Sequence, residues 1–82
     1  MTYGIFAIRD KVAEEFRSIN LDVNEATAKR NFSYAVNNTP ELQFAAKDYE
    51  LYLIGDFQSD KGVVTAMTPT VLIARGDEVL ND

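Results

Sequence analysis

Carboxylates are the main chemically active side chains in this 82-residue chain, which contains no Cys and no His. Two adjacent pairs of acids occur, Glu14-Glu15 and Asp77-Glu78. Catalysis by two carboxylates requires both to face one reacting bond, whereas sequence neighbours in a strand or a helix point in different directions. The missing residue types are the usual general base and the thiol nucleophile. The sequence therefore predicts a protein that is not an enzyme.

Metal and cofactor sites are also poorly supported by the residue pattern. The glycines stand apart at positions 4, 55, 62 and 76, so no glycine-rich phosphate loop is present. Asp48, Asp56 and Asp60 could share an ion near one end of a hairpin, but surface acids beside a turn explain them more simply. We therefore expect no metal and no cofactor.

A nucleic-acid site is indicated by an arginine and a tyrosine at helical spacing, together with other basic residues. Arg30 and Tyr34 are four residues apart in the best predicted helix, on the side opposite Phe32. A guanidinium beside an exposed ring is a platform on which an unpaired base can stack. Further basic residues follow the first predicted strand and can extend a positively charged edge: Arg9, Lys11 and Arg17. These five residues form the predicted site for single-stranded DNA. In the competing interpretation, Tyr34 covers a partner chain and Arg30 pairs with an acid.

The overall charge favours a protein partner instead. Thirteen acids and eight bases give a formal net charge of −5 and a pI near 4.5. Nucleic-acid binders usually carry a basic field, because neutralising phosphates supplies most of their affinity. The alternative function is therefore a protein-interaction module without nucleic-acid contact.

The elements that must position these residues follow from the apolar pattern. A strand at residues 3–8 carries apolar side chains on both faces, which is typical of a central strand. Residues 12–22 are predicted to be irregular, with at most a short strand. A helix is predicted at residues 23–37, with Asp22 or Asn24 as its N-cap and Asn38 in the left-handed conformation after it, before Pro40.

The second half of the chain predicts a hairpin. Residues 49–57 alternate in polarity, which puts positions 49, 51, 53, 55 and 57 on one face. A turn with Gly62 at a positive φ leads into a strand at residues 63–67, and Pro69 separates it from a last strand at 71–74. The five phenylalanines are predicted to fill the core, at positions 6, 16, 32, 44 and 57.

The predicted fold is a single α+β domain spanning residues 1–82. It has a small antiparallel sheet of three to four strands with one helix packed on one face. One helix leaves the other face of the sheet uncovered, although four apolar residues are predicted to lie on it: Tyr3, Ile5, Tyr52 and Ile54. An exposed apolar patch usually marks an interface, and a domain this small gains stability from a partner. We therefore expect a homodimer through these four residues.

No membrane or export segment is predicted. The longest uncharged run covers thirteen residues, 62–74, and includes Pro69. A membrane span needs about 20 apolar residues. We therefore expect a cytoplasmic protein without a membrane partner.

Three segments resemble a known family. They are Ile8-Arg9-Asp10-Lys11, Ala28-x-Arg30-x-Phe32, and the run Asp48-Tyr49-Glu50-Leu51-Tyr52-Leu53-Ile54-Gly55-Asp56-Phe57 followed by Asp60-x-Gly62. Over residues 3–65 the chain resembles the small nonstructural protein of gokushovirus-type microviruses, which are single-stranded DNA bacteriophages. The most specific part is the pattern Asp-x-x-Leu-x-x-Ile-Gly-x-Phe.

The resemblance implies a phage accessory protein that acts in the cytoplasm of the bacterial host. It implies association with DNA and an influence on genome replication or packaging, with no catalytic residues to carry over. The alternative remains a module that binds a phage replication protein, a scaffold protein or a host factor.

Overall fold

Four antiparallel strands form the sheet on which the other elements pack. The computed structural model describes residues 1–81. The strands are β1 (Thr2–Asp10), β2 (Glu15–Asp22), β3 (Tyr49–Gln58) and β4 (Val63–Arg75), in the order β2-β1-β3-β4. The prediction that the first strand is central is confirmed, because β1 lies between β2 and β3.

One face of the sheet is covered by the longest helix, α1 (Glu25–Asn38), which confirms the α+β fold. Short elements follow: α2 (Pro40–Phe44), a 3₁₀ turn (Ala46–Asp48) and, at the end of the chain, α3 (Gly76–Val79). The core lies between α1 and this face and contains Phe6, Ala28, Phe32, Val36, Ala46, Leu51 and Ala74. We call this face of the sheet the helix side and the uncovered face the open face.

Helix α1 begins at one of the two predicted caps. Asn24 is extended, and its side-chain Oδ1 accepts a hydrogen bond from the Thr27 backbone N–H at 2.8 Å. The predicted left-handed Asn38 is wrong, because α1 includes Asn38 and is capped by the extended Thr39. Pro40 then opens α2, since the first position of a helix needs no backbone N–H.

The chain after β4 returns to α1. The Asn37 side-chain amide donates to the Val79 carbonyl at 2.9 Å, and its oxygen accepts from the Asn81 N–H at 2.7 Å. Gly76 lies against the Ala46 backbone, where a Cβ would overlap the carbonyl oxygen. A glycine is therefore required for α3 to pack beside the 3₁₀ turn.

The two edge strands differ from their predictions. Residues 12–22, predicted to be irregular with at most a short strand, contain the eight-residue β2, in which all residues except Asp22 are exposed. Apolar and polar residues alternate in β2, but the alternation shifts at Ser18–Ile19, where the register with β1 also shifts, and this weakens the strand signal. Strand β4 continues through Pro69, which was predicted to divide it. An edge strand tolerates proline, because the missing N–H removes no bond between strands.

A β-bulge in β3 changes which residues share a face. Ile5 is opposite Gly55 but the next residue, Phe6, is opposite Leu53, so Ile54 is the extra residue. The strict alternation predicted for residues 49–57 is therefore wrong beyond Leu53. Gly55 and Phe57 lie on the open face, because they are opposite residues of β1 that point there.

The prediction that all five phenylalanines are core residues is also wrong. Phe6 and Phe32 are 3% exposed, whereas Phe16 is 41% exposed and Phe44 is 94% exposed. Phe57 is half-buried on the open face. Three of the five rings are therefore outside the buried core of the helix side.

The β3–β4 turn confirms the predicted role of Gly62, which has a φ of +66°. No atom lies within 4 Å of the position that a Cβ would occupy. We expect Gly62→Val to lower the free energy of unfolding by about 1–2 kcal/mol, through backbone strain alone. Denaturant unfolding measures this change, with Lys61→Val at the neighbouring exposed position as the control. Equal stability of the two variants would contradict the turn geometry.

Candidate nucleic-acid interface

The open face combines rings, aliphatic side chains and arginines from all four strands. The strand register assigns to it Tyr3, Ile5, Ala7, Arg9, Phe16, Leu21, Glu50, Tyr52, Phe57, Val64, Leu72 and Arg75. The charged members lie at one end, next to the β1–β2 turn, and the apolar members occupy the remainder.

One row across the sheet forms the charged end. Phe16 of β2 is opposite Arg9 of β1, Arg9 is opposite Glu50 of β3, and Glu50 is opposite Arg75 of β4. The Arg9 guanidinium carbon lies 5.1 Å from the centre of the Phe16 ring, a cation–π distance. The row therefore places two arginines and a partly exposed ring on one line.

Two rings meet above the central strand. Phe16 and Tyr52 form an edge-to-face pair with centroids 5.4 Å apart and an interplanar angle of 75°. Their strands flank β1, so the two rings lean towards each other across it. Ala7 of β1, which is opposite Tyr52, is fully buried although no helix covers it. A small residue at this position leaves room for the rings to meet.

Glu50 is the centre of the charged end. It is 8% exposed, and its Oε2 lies 4.0 Å from Lys11 Nζ and 3.7 Å from Arg75 Nε. Its Oε1 accepts a hydrogen bond from the Tyr52 hydroxyl at 3.1 Å. These partners compensate the carboxylate for its lost hydration.

Burial raises the pKa of the Tyr52 phenol above its ordinary value of 10.0. The hydrogen bond to Glu50 and the negative charge of Glu50 raise it further, while Arg9 and Arg75 oppose the shift. Tyr52 therefore remains a neutral hydrogen-bond donor at physiological pH.

The net negative charge of the chain is not distributed evenly over the two faces. Among the described strand residues, Glu50 is the only acid on the open face. The register places the other strand acids on the helix side: Asp10, Glu15, Asp22 and Asp56. Three basic residues, Arg9, Lys11 and Arg75, thus outnumber the two acids at this end, Glu50 and the Glu78 that lies 3.9 Å from Arg75, which leaves a small local positive charge.

The structure divides the five predicted nucleic-acid residues among three places. Arg9 and Lys11 reach the charged end of the open face. Arg17 lies on the helix side, where one of its terminal nitrogens is 3.1 Å from both Asp10 and Glu15. Arg30 and Tyr34 lie on the surface of α1 turned away from the sheet, where Tyr34 is 72% exposed.

The residues predicted for a dimer interface fall mainly on the open face. Tyr3, Ile5 and Tyr52 share it, and Ile54 occupies the bulge of β3. Sequence reasoning missed Phe16, Glu50 and Arg75 as members of this surface. The row that unites them depends on the register between strands, and the alternation of β2 is interrupted at Ser18–Ile19.

A groove of about 320 Å³ lies on the helix side, between β2 and the α1–α2 segment. Its lining includes Arg17, Asn20, Glu41, Leu42 and Tyr49. The one base among these lining residues, Arg17, already pairs with Asp10 and Glu15. We therefore assign no ligand to this groove.

Residues 1–81 contain neither a cluster of metal ligands nor a long apolar helix. No group of three or more acids is placed to hold a metal ion. No helix in this range is long and apolar enough to cross a bilayer.

A family model described as Phage ORF5 protein matches residues 3–79 of the chain. The chain belongs to this phage ORF5 protein family. The predicted resemblance is thereby confirmed at the level of a bacteriophage protein, and the ORF5 match covers every residue of the open face. Comparison with curated proteins and with solved structures found no significant match.

The environment of Tyr52 in this ORF5 protein gives a titration test. We expect Glu50→Gln to lower the Tyr52 pKa, because the charge that helps to raise it is removed. A spectrophotometric tyrosinate titration measures this, and Tyr52→Phe identifies the step. The Tyr52 pKa is higher in the folded than in the unfolded protein. Its contribution to the free energy of unfolding is therefore fully present at pH values below the unfolded pKa, and it is lost as the pH rises through the folded pKa. An unchanged Tyr52 step in the Gln variant would contradict the contact.

Proposed function

We propose that this protein is a non-enzymatic phage accessory protein that binds single-stranded DNA on its open face. The observation that carries the proposal is the row of Phe16, Arg9, Glu50 and Arg75, with Tyr52 in contact with Phe16. Basic side chains and aromatic rings are thus side by side on a surface that no helix covers.

Each part of this row matches one part of a nucleic-acid strand. Guanidinium groups bind phosphate oxygens, and aromatic rings stack with unpaired bases. Stacking on a sheet surface requires bases that are splayed out, which a duplex does not offer. The arrangement therefore favours a single strand over a double-stranded ligand.

The local charge supports a polyanion rather than a second copy of the protein at this end. Two open faces brought together at the Arg9 and Arg75 row would oppose like charges, which Glu50 and the Glu78 beside Arg75 would offset only in part. A phosphate backbone brings the opposite charge. The acids on the helix side repel a strand from that surface, and so restrict binding to the open face.

We further propose that the phage is of the gokushovirus-type microvirus group and that the protein acts in the bacterial cytoplasm. The pattern of residues 48–57 supports this narrower assignment. The genome of such a phage is a single strand, which matches the ligand proposed for the open face. A role in genome replication or packaging follows from the same match, and the absence of His and Cys supports a role without catalysis.

Fluorescence anisotropy of a labelled single-stranded oligonucleotide tests the proposal at low and moderate salt. We expect salt-sensitive binding, with a log–log slope of about −0.7 for each phosphate neutralised. Arg9→Ala should weaken binding and reduce this slope. Arg30→Ala removes the same charge from the outer surface of α1 and should leave binding nearly unchanged.

The opposite ranking of these two variants would place the site on α1, with Tyr34 beside it. Absence of binding by the wild type at low salt would overturn the nucleic-acid function. A partner among phage replication, scaffold or host proteins would then be the explanation for the exposed rings.

Self-association is supported by a different observation, the exposed edge of β2. Ile19 is 65% exposed and Leu21 is 49% exposed, and the backbone of this edge has no strand beside it. The opposite edge, on β4, is interrupted by Pro69, which lacks an N–H. We propose that two copies pair antiparallel along β2, which would join two open faces into one continuous surface.

Light scattering at several protein concentrations tests this dimer. We expect Ile19→Lys to shift the protein towards monomer, because a charge would be placed at the paired edge. Phe44→Lys, on α2, changes an exposed apolar residue away from the sheet and should not alter the molar mass. A wild type that stays monomeric at every concentration would contradict the pairing.

A further inference from the structure

Glu50 stands in the middle of the charged end, where an anionic ligand would be expected to bind. Its carboxylate contacts both Lys11 and Arg75, two of the three basic residues at this end, and Arg75 also lies 3.9 Å from Glu78. The third base, Arg9, packs over Phe16 and forms no ion pair with another described residue. The basic residues of the charged end are therefore of two kinds: Lys11 and Arg75 are held by Glu50, and Arg9 is not.

We infer that Glu50 is a built-in competitor of the strand phosphates, and that it limits how tightly the open face binds a nucleic acid. The inference rests on the proposed function, since it concerns the affinity of that same surface.

The surroundings of Glu50 prevent it from moving aside. The residue is 8% exposed, and its Oε1 is held by the Tyr52 hydroxyl at 3.1 Å. Tyr52 is in turn held by its ring contact with Phe16. A phosphate that approaches the row must therefore approach a fixed negative charge.

The two basic residues that contact Glu50 are more exposed than the acid itself. The side chains of Lys11 and Arg75 are 43% and 55% exposed, whereas that of Glu50 is 10% exposed. Each can rotate towards a phosphate, but a buried carboxylate is then left with fewer partners, which is unfavourable. Part of every phosphate contact made by these two residues is thus offset by a lost internal contact.

Arg9 should consequently contribute more to binding than Lys11, although the two carry the same charge and lie at the same end. A weakened site of this kind allows a bound strand to be released, as replication or packaging of a genome would require.

The decisive variant is Glu50→Gln, which keeps the size and the acceptor for Tyr52 but removes the charge. Anisotropy with the labelled single strand should show about fivefold tighter binding at low salt, and a salt slope steeper by about 0.7 if one more phosphate is engaged. Glu25→Gln is the matched control, because Glu25 also pairs with a base, Lys29, at 3.8 Å. The affinity of Glu25→Gln for the labelled single strand should remain close to that of the wild type.

A second comparison does not require a substitution in the buried position. Lys11→Ala should weaken binding less than Arg9→Ala, because Lys11 is already committed to Glu50. Thermal melting of each variant checks that it folds.

The outcomes separate this inference from the proposed function. If the wild type binds but Glu50→Gln binds equally or more weakly, or Lys11→Ala weakens binding as much as Arg9→Ala, the competitor role is overturned and the DNA function stands. If neither the wild type nor Glu50→Gln binds at low salt, both are overturned.

Discussion

The fold depends on one constraint: a single helix of 14 residues can cover only one face of a four-stranded sheet. Phe6, Phe32 and Leu51 therefore concentrate the core on the helix side. The other side of the same central strand must be covered by other means. At Ala7 this is done by the sheet itself, because rings from the two flanking strands meet above it. A surface of partly exposed rings is thus a direct consequence of the fold, and it is available for a ligand without any rearrangement of the core.

The distribution of charge follows from the strand register and not from the composition. A net charge of −5 would oppose a phosphate ligand if it were spread evenly over the molecule. Alternation instead directs four of the five strand acids to the helix side, and leaves Arg9 and Arg75 on the open face with Glu50 between them. At physiological ionic strength, charges are screened over about 8 Å, so a ligand on the open face interacts mainly with the charges of that face. The local field, and not the total, determines what can bind there.

The sequence predicts best those elements that carry a local signal. The stripe of Ala28, Phe32 and Val36 and the cap at Asn24 indicate α1, and the apolar faces of residues 3–8 indicate a central strand. Two features lack so clear a signal. The alternation of β2 is interrupted at Ser18–Ile19, where its register with β1 shifts, and the bulge at Ile54 depends on how β3 pairs with β1. The same limits apply to the candidate site. Arg9 and Lys11 were predicted because they are close together in sequence. Phe16 could be assigned to the open face only once β2 was known, and Arg75 only from the pairing of β3 with β4.

The bulge at Ile54 links the architecture to the proposed role. Without the extra residue, Gly55 and Phe57 would follow Leu53 onto the helix side, beyond the end that α1 covers. With it, Phe57 comes to lie opposite Tyr3 on the open face, and Gly55 comes to lie opposite Ile5. Rings then continue along β1 and β3 from the charged row towards the β3–β4 turn. Under the proposed function, phosphate contacts at Arg9 and Arg75 would fix one end of a strand, while stacking along this line would extend the contact without further positive charge. The proposed interface, with few basic residues, would in this way still hold several nucleotides.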